Sequence, residues 1–121
     1  MTTSATPDSL VALTEALRQF AAERDWDQFH SPKNLVMALS VEVAELMEHF
    51  QWLTPDEAVA LPVRSKAAVR EELADVLLYL VRLADKLEVE LVGAAYDKIE
   101  HNARKYPADK AHGSMRKYTE L

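Results

Sequence analysis

Two apolar stripes, each edged by a pair of acids, constrain this chain more than any other feature. In SVEVAELMEHFQW, Glu42 and Glu45 stand three residues apart; in REELADVLLYLV, so do Glu72 and Asp75. On a helix such pairs are neighbours, with Cβ atoms about 5–6 Å apart. At about 100° per residue, Leu35, Leu39, Val43, Leu46 and Phe50 form one stripe, with Glu42 and Glu45 along its edge. Val69, Val76, Leu80, Leu83 and Leu87 form the other, with Glu72 and Asp75 at the same offset. Packing the stripes together brings four carboxylates to one seam. Four partly desolvated negative charges require a cation. All-oxygen ligation selects a hard ion such as magnesium.

Either pair alone would read as solvated helix surface. Their matched phase on two long amphipathic helices is what argues for a site. Glu48 and Glu71 lie farther from the stripes and read as surface. A di-iron carboxylate bundle would need Glu-x-x-His on two helices. His49 instead follows Glu45 by four residues, and no histidine follows Glu72 at that spacing.

Composition removes other chemistries. With no cysteine in 121 residues, disulfides, thiolate metal sites and cysteine nucleophiles are excluded. Gly93 and Gly113 are the only glycines, too few for a Walker loop or a GxGxxG turn. Residues 1–97 carry 8 basic and 17 acidic side chains, a net −9, whereas residues 98–121 carry 6 and 3, a net +3. An acidic, cation-holding body beside a mildly basic end suits a small polyphosphate with its metal. Duplex nucleic acid would need a broader basic surface, so no nucleic-acid polymer is expected. No charged segment followed by an apolar run opens the chain, so no signal peptide is expected. Residues 76–81 form the longest apolar run, far short of a membrane span. The expected compartment is the cytoplasm.

Along the chain, residues 1–7 read as a loose N-terminus. Asp8 or Ser9 caps a helix to about Arg24, with Leu10, Leu13, Leu17, Phe20 and Ala21 on one face. DWDQFH, residues 25–30, breaks the period as a loop. Ser31-Pro32 starts the second helix, which runs to about Gln51. Thr54, Pro55 and Glu57 predict a capping box on a short helix that Leu61-Pro62 stops. Ser65 is placed to cap a fourth helix to about Lys86, and Val89 or Glu90 opens a fifth to about Arg104. Residues 106–121 show no period and read as an extended tail. No stretch alternates like a half-buried strand. The fold class is therefore all-α, a single domain over residues 1–121 built as a four- to five-helix bundle with a C-terminal tail. Residues 76–81 are apolar around the whole helix axis, so that helix is expected to be buried on every side. A chain this small has little room for that, and a homo-oligomer is expected.

The pattern ExxE, a gap of 26 residues, then ExxD resembles the signature of the all-α nucleoside triphosphate pyrophosphohydrolases, the MazG-like superfamily. FAAERDWDQFHSPKNL, FQW, EELADVLLYLV, NARKYP and RKYTEL resemble the dCTP pyrophosphatase branch, so the likeness runs from about Phe20 to Leu121. Relatives often have glycine before each glutamate of the first pair, where this chain has Val41 and Ala44. The resemblance implies hydrolysis of a deoxynucleoside triphosphate between its α- and β-phosphates, dCTP or a modified dCTP above all, in nucleotide-pool house-cleaning. It also implies a tetramer. Glu42, Glu45, Glu72 and Asp75 would hold Mg2+, and one carboxylate not fully used on the metal would take the attacking water's proton. Glu45 is the favoured base, with the other three open.

Trp26 and Trp52 flank the acidic segments as candidates for stacking on a base, with core packing the open alternative. Stacking does not identify a base. Asn102, with a donor and an acceptor together, suits the cytosine edge and occupies the matching place in the family's pattern; Gln28 and His30 are further candidates. Tyr79 follows Asp75 by one helical turn and projects from the same face, either toward ligand or into core. Lys105, with Lys98 and Arg104, is a candidate for phosphate contact. The same chemistry on uracil, a purine or a damaged base stays open, as does a non-catalytic nucleotide-binding oligomer.

Overall fold

The computed structural model describes residues 9–121; the loose segment expected at residues 1–7 lies outside the described residues. Among the described residues the secondary structure is helical, with no strand. Six α-helices run Leu10–Glu23 (α1), Pro32–Glu48 (α2), Pro55–Val59 (α3), Val63–Lys86 (α4), Leu91–Lys105 (α5) and Ala108–Ala111 (α6). They fall into two compact units, one ending at Glu88 and one spanning Val89–Leu121.

The first unit is organised on α4, against which α1 and α2 both pack. Local chemistry sets the starts. Ser9 Oγ accepts the Ala12 N–H, Ser31 Oγ accepts the Asn34 N–H beside Pro32, and Thr54 and Glu57 form the expected capping box. The long helix departs from expectation by three residues. It starts at Val63, with Pro62 rather than Ser65 as its cap. Pro62, at φ −58°, already has a helical φ, and its carbonyl accepts the Lys66 N–H.

The end of α1 sets the path of the next segment. The Trp26 N–H reaches back to the Ala21 carbonyl and the Asp25 N–H to that of Ala22, with Asp25 left-handed at φ 54°. This is a Schellman ending. Gln28 Nε2 donates to both the backbone oxygen and Oδ2 of Asp25, which holds the turn. Trp26 is thereby folded back beside Phe20, with ring centroids 5.5 Å apart. A short 3-10 turn, Asp27–Phe29, completes the segment read as loop.

Ala21, Leu35, Val69, Val81 and Ala84 form the buried core. Three members of the predicted stripes, Val43, Leu80 and Leu87, remain exposed. Leu80 is 38% and Leu87 54% exposed, and Val36, Met37, Val41, Met47, Leu73 and Leu77 are exposed as well.

In the second unit, Glu90 caps α5 by accepting the Gly93 N–H. The stretch read as an extended tail is more ordered than that: it holds α6 and a 3-10 turn at Tyr118–Glu120. Elements of four and three residues are too short to show a helical period. Tyr118 packs edge-on against Tyr106, and Lys105 Nζ sits 4.8 Å from the centre of the Tyr118 ring.

Candidate active site

The packing of α2 on α4 faces the two acidic pairs toward each other. One carboxylate oxygen from each of Glu42, Glu45 and Glu72 lies within 4.8 Å of the other two. Oε2 of Glu42 and Oε2 of Glu72 are buried with no hydrogen-bond partner among the described residues. Burial, with the close carboxyls of Glu72 and Glu45 and the charges of Glu45 and Asp75, pushes the Glu42 carboxyl up to about 7. Glu42 therefore feels all three other acids of the predicted set. In water a carboxylate keeps its lone pairs solvated; two orphaned oxygens in an acidic seam are a structural debt. A hard divalent cation settles it: it supplies positive charge to oxygen donors that no group among the described residues satisfies. The residues fit such an ion.

Beside the carboxylates lies a cavity of about 240 Å³, lined chiefly by Phe20, Trp26, His30, Glu42, Asp75 and Tyr79. Whole small-molecule pockets run about 300–1,000 Å³, so this one suits one end of a ligand. Its lining combines the acids Glu42 and Asp75 and the guanidinium of Arg82 with the rings of Phe20, Trp26 and Tyr79, and the Trp26 and His30 rings lie 6.2 Å apart and steeply inclined. A ligand with a flat ring and a cation-bearing anionic end matches that lining.

The first unit thus brings together Glu42, Glu45, Glu72, Asp75, Trp26, His30 and Tyr79. Trp52 is elsewhere: it follows α2 and is 87% exposed. The Gln28 side chain is engaged by Asp25 and does not line the cavity. Asn102 and Lys105 belong to α5, in the second unit. There Lys105 leads Lys98 and Arg104 in depressing the pKa of His101 below the ordinary imidazole value, which marks this helix surface as basic.

One constellation escaped the sequence pattern. Arg82, 5% exposed, hydrogen-bonds Asp27 and His30 from α4. Lys86 Nζ donates to Asp27 Oδ1 at 3.0 Å. Arg18 of α1 grips Asp85 with two bonds, of 2.8 and 2.5 Å. Lys86 and Arg82 hold the Asp27 carboxyl below the usual carboxylate range, and Arg18 does the same for Asp85. Partners 52 to 67 residues apart leave no spacing signal. The one available hint is a lone arginine interrupting the apolar stretch YLVRLA.

The wider likenesses agree with the geometry. Over 105 residues the chain is 53% identical to human dCTP pyrophosphatase 1 and 50% identical to the mouse protein of that name, covering 85% of this chain. It spans 62% of the length of those curated relatives. Among solved structures, a pyrophosphatase from Archaeoglobus fulgidus superposes with a TM-score of 0.78 at 42% identity, over 88% of this chain and 99% of that one. Residues 37–121, which include all four acids of the seam, match the MazG-like family. An all-α chain with this match over most of its length belongs to the MazG-like family.

Proposed function

We propose that the chain is a magnesium-dependent nucleoside triphosphate pyrophosphohydrolase that converts dCTP, or a modified dCTP, and water into the monophosphate and pyrophosphate. The carboxylate seam carries this function: three oxygens within 4.8 Å, two of the carboxylates holding a buried oxygen with no partner among the described residues. The named activity of the human and mouse relatives supports the choice of substrate.

Glu42, Glu45, Glu72 and Asp75 would hold the ion. When bound, magnesium supplies charge neutralisation on the phosphate oxygens. Trp26, with Tyr79 beside it, binds the base end in the aromatic cavity and keeps water from that side. The acidic edge turns the phosphate end toward the seam. Water attacks the α-phosphorus in line, the α–β anhydride bond breaks, and pyrophosphate leaves with the bonding electrons. Glu45 takes the proton from the attacking water. Positioning and electrostatics carry most of the acceleration, because the protein forms no covalent bond to phosphorus. His30 is a further base-side contact in that cavity, and the roles proposed on α5 are Asn102 as reader of the cytosine edge and Lys105 as phosphate contact.

We also propose that the chain works as one domain in a homo-oligomer, a tetramer by analogy with the family, on an intracellular nucleotide pool. Exposed apolar side chains on α2 and α4, Met37, Val41, Met47, Leu73 and Leu77 among them, favour it. Light scattering on the eluting protein should give a mass that is a multiple of 13.7 kDa; a monomer at micromolar concentration would refute it.

The functional test is a panel of nucleoside triphosphates with magnesium, products resolved by ion exchange. The expected result is dCMP plus pyrophosphate, with dCTP the preferred substrate. Diphosphate plus orthophosphate contradicts α–β cleavage, and no turnover of any nucleotide refutes the enzyme.

A further inference from the structure

Arg82 is the buried charged residue of the core. Burying a guanidinium costs several kcal/mol unless every donor is used, so its partners indicate what the burial achieves. Nη2 donates to Asp27 Oδ1, Nε donates to His30 Nδ1 at 3.1 Å, and Nη1 lies 3.5 Å from Asp85 Oδ2. One side chain therefore ties the 3-10 turn after Trp26, through Asp27 and His30, to α4. Through Asp85 and Arg18 it reaches α1 as well.

The bond to His30 has a chemical consequence. A guanidinium has only donors and does not lose its proton. His30 Nδ1 must therefore carry a lone pair, and the neutral ring has its proton on Nε2. Burial, reinforced by the Arg82 and Lys86 charges and opposed by Asp27, lowers the His30 pKa and keeps the ring neutral. His30 lines the cavity beside the carboxylate seam. With Nδ1 turned to Arg82, the edge left for a ligand is the Nε2 edge, and no group among the described residues is hydrogen-bonded to it.

We propose that Arg82, which itself lines the cavity, is a positioning residue: it fixes the orientation and tautomer of His30, so that this ring presents its Nε2–H to an acceptor atom of the bound nucleotide. Resting on the pyrophosphohydrolase reading, this adds a selectivity element. A ligand that turns a donor toward this ring leaves two donors facing each other, both unpaired.

The decisive readout is the tautomer itself. Long-range proton–nitrogen spectra of the full chain, with His30 identified by signal loss in His30→Gln, should show an unprotonated Nδ1 and a protonated Nε2. In Arg82→Met, which keeps the stem volume, protonation at Nδ1 should appear. A wild-type ring protonated at Nδ1, or an unchanged tautomer in Arg82→Met, overturns the proposal. In steady-state kinetics with dCTP and magnesium, Arg82→Met and His30→Gln should each raise KM by about three- to tenfold, with the loss falling mainly on KM. The combined variant should be no worse than the worse single one, and multiplying losses would overturn the coupling. Should Arg82→Met fail to fold, Arg82→Lys replaces it. Its single ammonium cannot bridge Asp27 and His30 at fixed angles, so KM still rises, and a wild-type KM overturns the proposal. Absence of turnover in the wild type would refute the enzyme reading but leave the spectroscopic result to decide on Arg82 separately.

Discussion

Glu42 should make metal binding strongly pH-dependent. Its carboxyl, pushed up to about 7 by burial and its acidic neighbours, holds a proton that an incoming cation must displace. At pH 6 only about one molecule in eleven has Glu42 ionised, so apparent affinity should be about tenfold weaker than at high pH, against a loss of about a tenth at pH 8. A carboxylate at the ordinary value would lose only about 3% at pH 6. Calorimetric titration with magnesium or manganese, in two buffers of different ionisation enthalpy, reads both quantities. About 0.9 proton should be released per ion at pH 6 and about 0.1 at pH 8. Stability responds with a definite sign. The folded value lies above the unfolded one, so the group's contribution is fully present below about 4.5 and is lost as pH rises through about 7. The metal-free protein should therefore lose melting temperature between pH 6 and pH 8, and magnesium should restore more of it at pH 8. Glu42→Gln isolates the effect from His30 and His101, whose lowered pKa values act in the opposite direction. Flat affinity with no proton release at pH 6 would refute the reasoning.

Glu72→Gln should abolish magnesium-dependent turnover while raising the melting temperature of the metal-free protein, because a buried unpartnered carboxylate oxygen is removed; full activity in that variant would remove Glu72 from the site. Leu35, 1% exposed, should cost about 2–5 kcal/mol on replacement by alanine, measured by urea unfolding. Trp26→Ala should raise KM for dCTP, with about 1–3 kcal/mol of stacking lost, and should also lower stability, since Trp26 packs on Phe20. Trp52→Ala, at an 87% exposed position, should leave the unfolding free energy of a single subunit unchanged within about 0.5 kcal/mol, measured by urea unfolding.

The acidic seam was legible because helical period and charge position are both local properties. Once Leu35 and Val69 are placed inward, the geometry of a helix dictates where Glu42, Glu45, Glu72 and Asp75 must point. The caps at Ser31 and Thr54 were legible for the same reason: each is a contact between residues three apart. Pro62 displaced Ser65 as the start of α4 because a preset φ needs no side-chain acceptor. The Arg82 junction was not legible, since its partners meet only after α1, the 3-10 turn and α4 have packed. Apolar periodicity also says which face avoids water without saying what covers it. The stripe at Leu80 and Leu87 pointed to core, yet both remain exposed in a single chain.

The most direct test of the account is anomalous diffraction from crystals soaked in manganese. One or more peaks should lie at coordination distance, about 2.0–2.3 Å, from carboxylate oxygens of Glu42, Glu45 and Glu72, with Asp75 close by. Manganese bound only at other surface acids, with this seam empty at saturating metal, would contradict it.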